Sequence, residues 1–494
     1  MAEPVERPTD EPLNGWGRWK APKYLKGGSG PNDLRLVAGS AVLGLVVAAG
    51  AVLATGPWDS GQRKAERDRA AVQQRAGGAH HEGTAPDGPE PAASAPAVLS
   101  ALGTTGGVTA PAGASGLKTA LAPLLDAPAL GPVRTAVVVD AATGKQLYAR
   151  GATTPMTPAS TVKIATTAAA LSALGPAHRI ATTVTLSPDS RTLTLVGGGD
   201  PTLDKAALRA LAAGTARSLR DGGTGSVRLT YDTSRYSGPA LHPIGPNENI
   251  APVSALMADE GRLDRSDRGP APRTDDPAGD TARTFADLLG DAGVVTRSAP
   301  SSGKAAAGSR TVATHLSKPL SALVERALTN SDNDIAEALA RQTALKAGEP
   351  ASFAGSRRAV TARLKALGLP MAGARLADGS GLDRADKVTA GLLAELLALA
   401  AGPDHPELRP VLTGLPVAGF SGTLGDRYTA TSPATGLIRA KTGTLTGVNS
   451  LAGTAVDAQG RLLAFAFLAS GTTSPDEAEA SLDTLATTLT KGTP

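Results

Sequence analysis

The stretch TPASTVK at residues 157–163 leads directly into IATTAAALSAL at residues 164–174, which ends at Gly175-Pro176. The second stretch predicts a buried helix, because it is apolar almost throughout and because glycine followed by proline is typical of a helix end. Ser160 and Lys163 are spaced to share one face of the first helical turn. Backbone N–H groups at a helix start can stabilise negative charge on a carbonyl group that a serine attacks. The stretch therefore predicts a serine nucleophile with a lysine beside it.

The spacing of Ser160 and Lys163 does not select this pair by itself. Ser115–Lys118 and Ser301–Lys304 also match the S-x-x-K pattern, although they lie at a linker edge and in a loop rich in serine, glycine and alanine. Taken alone, Ser160 fits a helix cap better than a nucleophile. A lysine base must also be neutral, and burial or a second nearby cation lowers a lysine pKa. The hypothesis therefore requires another lysine or arginine in the site.

Two further triplets favour the nucleophile. The triplet SDN at 331–333 is the only S-x-N in the chain and lies between two predicted helices, 320–328 and one that begins near Ile335. A turn between helices exposes such side chains, although they are also the usual helix caps. The triplet KTG at 441–443 is the only one in the chain and follows a predicted strand at 437–440. On a strand, its glycine allows a close approach of a substrate backbone, while lysine and threonine can bind a carboxylate; a hairpin turn is the alternative.

In this order the three sets resemble the S-x-x-K, S-D-N and K-T-G signature of β-lactamases and penicillin-binding proteins. The similarity extends to four longer stretches: GGGDPTL at 197–203, DGSGL at 378–382, LPVAG at 415–419 and KTGTLTG at 441–447. From about residue 117 to its C-terminal end, the chain resembles the low-molecular-mass penicillin-binding proteins of the D-alanyl-D-alanine carboxypeptidase/endopeptidase family.

The resemblance implies a set of catalytic residues. Ser160 would attack the penultimate D-Ala carbonyl of a peptidoglycan stem peptide, Lys163 would accept its proton, and water would hydrolyse the resulting acyl-enzyme. Ser331 would relay a proton to the leaving amine and Asn333 would hold the substrate amide. Lys441 would be the second cation that keeps Lys163 neutral. The resemblance further implies that β-lactam antibiotics acylate the same serine.

It also implies the groups that bind the substrate. Thr442 and Thr444 would bind the terminal carboxylate, beside the close approach that Gly443 allows. The backbone N–H groups of Ser160 and Thr444 would form the oxyanion hole. One departure concerns the D-G-S-G-L stretch, which is followed by Asp383-Arg384 where the family usually has Ser-Arg. The place of this loop beside the site is left open by the sequence.

Strand patterns lie near both ends of the folded sequence, at 135–139, 450–456 and 462–468, with helical patterns between them. This predicts an α/β (α+β) fold in which both ends of the chain build one antiparallel sheet flanked by helices. With the resemblance, we expect a serine β-lactamase/transpeptidase-like domain from residues 116–190 and 318–494, interrupted by a smaller inserted α/β domain at 191–317. Because 331 minus 160 is only 171 residues, we expect one insert where some family members carry two.

The N-terminal region predicts attachment to a membrane. Residues 36–57 carry no charge and are long enough to cross the ~30 Å hydrocarbon layer as a single transmembrane helix. The three tryptophans of the chain lie on its two flanks, which is typical of interfacial anchoring. We expect an uncleaved signal anchor between a cytoplasmic segment, 1–35, and a disordered linker rich in alanine, glycine and proline, 58–115. Lys and Arg are balanced on the two flanks, so the extracytoplasmic placement of the catalytic part depends on the functional interpretation, and cleavage near residue 56 is left open.

Composition excludes several other classes. The net charge of +4 comes without a basic patch interleaved with aromatics, so nucleic acid is not an expected partner. The chain has no cysteine, and its six histidines lack metal-ligand spacing, so neither a metal nor another cofactor is expected. Two alternatives stay open: a serine β-lactamase, although no E-x-x-x-N loop follows Ser331, and a non-catalytic wall-binding protein. The sequence does not decide between carboxypeptidase and endopeptidase activity, the cross-link preferred, or the oligomeric state.

Overall fold

The computed structural model of the chain describes residues 114–428 and 431–491. The predicted cytoplasmic segment 1–35, the predicted membrane anchor 36–57 and nearly all of the predicted linker 58–115 lie outside these residues. Within the described ranges, no helix combines the length and the apolar character needed to cross a membrane.

The described residues form strands and helices that alternate along the chain. The strands are β1 (Val133–Asp140), β2 (Gln146–Arg150), β3 (Ala181–Leu186), β4 (Thr192–Val196), β5 (Asp200–Leu203), β6 (Ser226–Asp232), β7 (Leu256–Ala258), β8 (Val295–Thr296), β9 (Ser301–Ser302), β10 (Arg310–Leu316), β11 (Ile438–Leu445), β12 (Val448–Val456) and β13 (Leu462–Ser470). The α-helices are α1 (Ala114–Leu125), α2 (Val162–Leu174), α3 (Lys205–Asp221), α4 (Pro277–Asp291), α5 (Leu320–Thr329), α6 (Asn333–Lys346), α7 (Phe353–Ala366), α8 (Ala390–Ala401), α9 (Arg409–Thr413) and α10 (Pro475–Thr490).

A five-stranded antiparallel sheet joins the two ends of the described chain. Its strand order is β11-β12-β13-β1-β2, so the first strand in sequence pairs with the last. Successive side chains of β1 point to opposite faces of the sheet. Ala136 and Val138 pack on one face, and Val137 and Val139 pack on the other. The prediction that both ends of the chain build one antiparallel sheet is confirmed.

Helices cover both faces of this sheet. On one face, α1 and α10 pack against the strands, and Phe465 and Phe467 of β13 fill the space beneath them. On the other face, α8 packs on β1 and β13, and beyond it lies α2, surrounded by α5, α6, α7 and α8. The sheet is therefore the middle layer of a three-layer arrangement, with the apolar helix predicted at 164–174 in the centre of the helical layer.

Helix α2 is buried over most of its length, as its apolar sequence predicts. Every residue from Val162 to Leu171 is buried, so a polar side chain in this segment needs a partner inside the protein. The helix ends at Gly175, whose φ of 83° is a left-handed conformation and whose N–H bonds the Leu171 carbonyl. This agrees with the end predicted from Gly175-Pro176.

A second, mixed sheet is inserted between α2 and α5. Its order is β10-β3-β4-β6-β8, with β9 paired to β6, and it packs against α3 and α4 around Phe285 and several leucines. Strand β3, which precedes the predicted boundary at 191, pairs with β10 and β4 of this sheet. Residues 187–191 form the turn of the β3–β4 hairpin, and such a polar turn looks the same in sequence as a turn between domains.

Candidate active site

Ser160 lies in a 3₁₀ turn, Ala159–Thr161, that immediately precedes α2. Ala159 has a φ of 49°, a left-handed conformation that costs an alanine ~1–2 kcal/mol, so surrounding contacts must hold it. The Pro158 carbonyl accepts hydrogen bonds from Thr161 Oγ1 and from Ser450 Oγ of β12, each 2.7 Å long. The predicted nucleophile is therefore fixed against the sheet, one turn before the helix begins.

Gly443 of β11 packs directly against this turn. A Cβ atom at residue 443 would lie 2.6 Å from the Pro158 carbonyl oxygen and 3.1 Å from the Ser160 nitrogen, so another residue would displace the turn. The sequence interpretation assigned the glycine to a close approach of substrate. The close approach that the structure shows is instead that of the nucleophile turn, and the substrate contact stays a prediction.

Lys163 is fully buried on the first turn of α2. Its Nζ lies 2.9 Å from Ser160 Oγ, 2.7 Å from Asn333 Oδ1 and 2.6 Å from the Ser380 carbonyl oxygen. Burial lowers the pKa of Lys163 from 10.5 to about 8, although nearby carboxylates, Asp378 first among them, act in the opposite direction. The predicted base thus touches the predicted nucleophile and is far easier to deprotonate than a lysine in water.

One residue of the S-D-N triplet caps a helix, and the other two lie at the site. Asp332 caps α6, because its Oδ1 accepts the Ile335 N–H at 2.9 Å, as the alternative interpretation expected for this kind of residue. Asn333 instead reaches Lys163 with Oδ1, while its Nδ2 donates to the Asn249 carbonyl at 2.9 Å. Ser331 has a left-handed φ of 58° and lines the same cleft as Ser160.

The K-T-G triplet lies in the middle of strand β11, and the alternative of a hairpin turn is wrong. Lys441 is fully buried, and its pKa is well below 10.5 because of burial and then the charges of Lys163 and Arg427. The charge of Lys163 thus disfavours a charge on Lys441, whereas the lowered pKa of Lys163 comes from burial, so the role of Lys441 as a second cation stays a prediction. Thr442 Oγ1 donates to Thr423 Oγ1 at 2.8 Å, and Thr444 Oγ1 donates to Glu479 Oε1 at 2.7 Å.

The D-G-S-G-L loop, whose place the sequence left open, lies against Lys163 through the Ser380 carbonyl. Asp378 holds the loop in shape, because its carboxylate accepts the N–H groups of Ser380, Gly381 and Asp383. Arg384 Nη2 donates to the Thr446 carbonyl in the turn between β11 and β12, which ties the loop to the K-T-G strand. The departure at Asp383-Arg384 therefore leaves the loop beside the site.

Sequence reasoning missed two buried residues that support this loop. Glu337 Oε1 accepts the N–H groups of Gly379 and Ser380 at 2.8 and 2.9 Å, and His242 Nε2 lies 2.9 Å from Asp378 Oδ2. The spacing in the sequence could have identified Glu337, because it follows Asn333 by four residues and therefore shares its helix face. His242 carries no signal in the sequence, because it lies in an irregular stretch that only the fold brings next to the loop.

Two buried groups of side chains have ligand atoms close enough together for a metal ion: His242, Glu337 and Asp378, and Glu260, Asp332 and Asp334. In the first group Asp378 and Glu337 bind the backbone of the loop. In the second group Glu260 pairs with Arg262 and Asp334 with Arg273, each at 2.9 Å. Most of these carboxylates therefore have a partner within the protein, although Glu337 Oε2 and Asp332 Oδ2 accept no hydrogen bond among the described residues.

One cleft of about 490 Å³ is lined by five of the predicted site residues, Ser160, Ser331, Asn333, Thr442 and Thr444. Lys163, Lys441 and Gly443 are not part of its lining. One side is formed by the nucleophile turn and the S-D-N turn, and the other by β11 with Thr423, Arg427 and Glu479. Arg262 and Arg273, from the segment after β7, close one end of the cleft. A larger cleft of about 670 Å³ is lined by the inserted region and α5 and does not include the nucleophile. The Ser160 hydroxyl that lines this cleft is in contact with the buried Lys163 amine, which also contacts the Asn333 amide. This arrangement defines a serine acyl-transfer site of the penicillin-binding kind.

The chain is similar in sequence to known proteins. The model of the D-Ala-D-Ala carboxypeptidase 3 (S13) family matches residues 117–268 and 264–491. A carboxypeptidase of Mycobacterium tuberculosis is 38% identical over 433 residues, which cover 83% of this chain and 91% of that protein. The carboxypeptidase DacB of Mycolicibacterium smegmatis is 39% identical over 370 residues, which cover 72% of this chain and 79% of that protein. The chain therefore belongs to the D-Ala-D-Ala carboxypeptidase 3 (S13) family and is a serine-type D-Ala-D-Ala carboxypeptidase of peptidoglycan metabolism.

A solved structure supports the fold independently. The crystal structure of penicillin binding protein 4 from Haemophilus influenzae matches with a TM-score of 0.62 at 22% identity, over 75% of this chain and 98% of that chain. A second structure of the Haemophilus protein is complexed with a β-lactam. The expected transpeptidase-like α/β fold is thus confirmed for the described residues, and the family assignment favours the carboxypeptidase over the β-lactamase and wall-binding alternatives.

Replacing Gly443 by alanine is expected to lower the rate of D-alanine release from a D-Ala-D-Ala peptide by about 100-fold or more, because a nucleophile displaced by ~1 Å loses its alignment. Gly214→Ala is the matched control, since a Cβ at this position of α3 meets nothing nearer than 3.6 Å. Release rates of both variants check the prediction. A Gly443→Ala enzyme as active as the wild type would show that the turn is not held by this contact.

Proposed function

We propose that Ser160 is the nucleophile and Lys163 the general base of this carboxypeptidase. The observation that carries the proposal is the 2.9 Å contact between Lys163 Nζ and Ser160 Oγ at a lysine that is completely buried. Burial favours the neutral amine, which has a lone pair for the serine proton. The Ser380 carbonyl and Asn333 Oδ1 fix the position of the amine, so that it faces the hydroxyl.

In the acylation step, Ser160 Oγ forms a bond to the penultimate D-Ala carbonyl carbon as its proton passes to Lys163. The backbone N–H groups of Ser160 and Thr444 stabilise the oxyanion, aided by the position of Ser160 just before α2. The intermediate collapses with cleavage of the C–N bond, and Ser331 relays a proton to the departing D-alanine amine. Lys163, neutral again, accepts a proton from the water that attacks the ester carbonyl. It passes this proton to Ser160 Oγ as the acyl C–O bond breaks and the shortened peptide leaves with a free carboxyl group.

The remaining site residues bind and orient the substrate in this proposal. Asn333 Nδ2, which lines the cleft and donates to the Asn249 carbonyl, holds the substrate amide with its second hydrogen. In this proposal Lys441 is a second buried amine near the base, and burial followed by the charge of Lys163 lowers its pKa. Thr442 and Thr444 bind the terminal carboxylate beside Gly443. Penicillins acylate Ser160 by the same route, since their strained amide occupies the place of the scissile bond.

We further propose that residues 36–57 anchor the enzyme in the cell membrane as a single pass, with its catalytic part on the outer side. The uncharged length of this segment and its tryptophan flanks support the anchor. The location of peptidoglycan outside the membrane supports the orientation. In this organisation, 58–115 is a linker, and 116–180 and 318–494 form the penicillin-binding domain around an inserted domain that starts with β3.

Ser160→Ala is expected to abolish D-alanine release and covalent labelling by a fluorescent penicillin, because no other group takes the place of the nucleophile. The other two S-x-x-K serines are controls. Ser301 lies in the short exposed strand β9, so Ser301→Ala and Ser115→Ala should be labelled like the wild type. The measurement is the gel fluorescence of each variant after incubation with the fluorescent penicillin. Label retained in Ser160→Ala, or lost in either control, would refute the assignment.

The acylation rate is expected to rise with pH through about 8, because Lys163 is active only after losing its proton. At pH 7 about a tenth of the molecules would carry the neutral amine. Glu337 is one of the charges that raise this pKa, so Glu337→Gln should move the midpoint to lower pH. The measurement is the second-order rate constant of penicillin acylation between pH 6 and 10. A rate independent of pH in this range would exclude Lys163 as the base.

Deletion of residues 36–57 from the full chain is expected to move the protein from the membrane fraction to the soluble fraction, because the deletion removes the apolar span. A deletion of equal length within the linker, 80–101, is the control and should leave the protein in the membrane fraction. Immunoblots of the fractions provide the measurement. A deletion variant that still sediments with membranes would contradict the anchor.

A further inference from the structure

Glu479 of helix α10 brings a negative charge to the part of the cleft where the substrate carboxylate has to bind. Its Oε1 accepts the hydrogen bond of Thr444 Oγ1 at 2.7 Å, and its Oε2 lies 3.5 Å from Arg427 Nη1. A hydroxyl and a guanidinium are the groups that proteins use to bind a carboxylate. Glu479 therefore already occupies a small carboxylate-binding position that borders the cleft of Ser160.

Arg427 does not need Glu479 to balance its charge. Asp483, one helical turn further along α10, accepts two hydrogen bonds from the guanidinium, at 2.7 and 3.1 Å. The Arg427 guanidinium thus faces two carboxylates, those of Glu479 and Asp483, although burial raises the pKa of Asp483. Lys441 does little to offset this charge, since its pKa is well below 10.5. A substrate carboxylate would add a further negative charge.

Glu479 is also able to leave this position. Its side chain is 28% exposed, whereas those of Arg427 and Asp483 are 14% and 15% exposed. The hydroxyl of Thr444 has a single proton and can donate it to one carboxylate at a time. Binding of a substrate carboxylate to Thr444 therefore requires that Glu479 give up this hydrogen bond and turn toward solvent.

We propose that Glu479 is a specificity-determining residue that mimics the terminal carboxylate of the stem peptide and competes with it for Thr444. The proposal rests on the assignment of Thr444 as a carboxylate contact made under the proposed function. In the free enzyme, Glu479 fills the position and satisfies both donors. The peptide displaces it on binding, and the enzyme consequently binds D-Ala-D-Ala termini more weakly than the cleft would without this charge.

The test compares Glu479→Gln with the wild type, because glutamine keeps the shape and one acceptor but removes the charge. The KM for a pentapeptide ending in D-Ala-D-Ala is expected to fall about fivefold, the effect of removing a like charge ~4 Å away in a hydrated cleft. The kcat should change less than twofold. A peptide ending in D-Ala-D-alaninamide, which lacks the carboxylate, should show the same KM with both enzymes.

Glu477→Gln is the matched control, since Glu477 is an exposed residue of the same helix that does not border the cleft, and its KM should equal that of the wild type. A KM of Glu479→Gln that is unchanged or higher for the carboxylate peptide would overturn the proposal. So would an equal fall for the carboxamide peptide.

Thr444→Val separates this inference from the proposed function, since it removes the hydroxyl and keeps the backbone N–H. If Thr444 binds the carboxylate, the KM of the Thr444→Val variant rises for the carboxylate peptide and not for the carboxamide peptide. A rise in Thr444→Val without a fall in Glu479→Gln would refute the role of Glu479 and leave Thr444 in place. No rise in Thr444→Val would refute both assignments, while Ser160 and Lys163 would be unaffected.

Discussion

A lysine that would be charged in water lies fully buried at the centre of this protein, and the rest of the site is arranged around its amine. Three oxygen atoms from three separate segments surround Lys163 Nζ: Ser160 Oγ, Asn333 Oδ1 and the Ser380 carbonyl. An unpaired ammonium at this depth would cost several kcal/mol, so each of these segments must reach its place for the helix that carries the lysine to stay buried. Stability and reactivity thus depend on one set of contacts.

The carboxylates near this lysine bind other groups of the protein and do not pair directly with its amine. Asp378 and Glu337 are engaged by backbone N–H groups of the 378–382 loop. Burial, followed by the charge of Asp378, raises the pKa of Asp386 to about 10, so Asp386 keeps its proton. Although burial opposes it, hydrogen bonds from His242 and Asp386 lower the pKa of Asp378 to about 2. The pKa of Lys163 therefore reflects a balance in which desolvation exceeds the attraction of the surrounding acids.

Much of this arrangement was predictable from local patterns. The apolar run before Gly175 predicted the central helix, the alternating strands near both ends predicted the main sheet, and three short motifs predicted which side chains meet. The signals missed were those that depend on partners distant in sequence. Nothing near His242 indicates that it will face Asp378, 136 residues later, and the hairpin turn at 187–191 looks like a domain boundary. Likewise, the glycine of the K-T-G triplet is more typical of a turn than of a strand. Only the packing of Gly443 on Pro158 shows why no side chain fits at this position of β11.

The bond between Ser450 Oγ and the Pro158 carbonyl spans 292 residues of sequence. Closing a loop of this length costs conformational entropy that contacts within a single helix do not. During synthesis, the serine therefore emerges from the ribosome long before the strand that immobilises it. A chain without β12 lacks the Ser450 hydroxyl, so the Pro158 carbonyl of the nucleophile turn would keep only the hydrogen bond from Thr161. Because β1 pairs with β13 as well as with β2, loss of the C-terminal strands would also remove one of the two neighbours of β1 in the sheet.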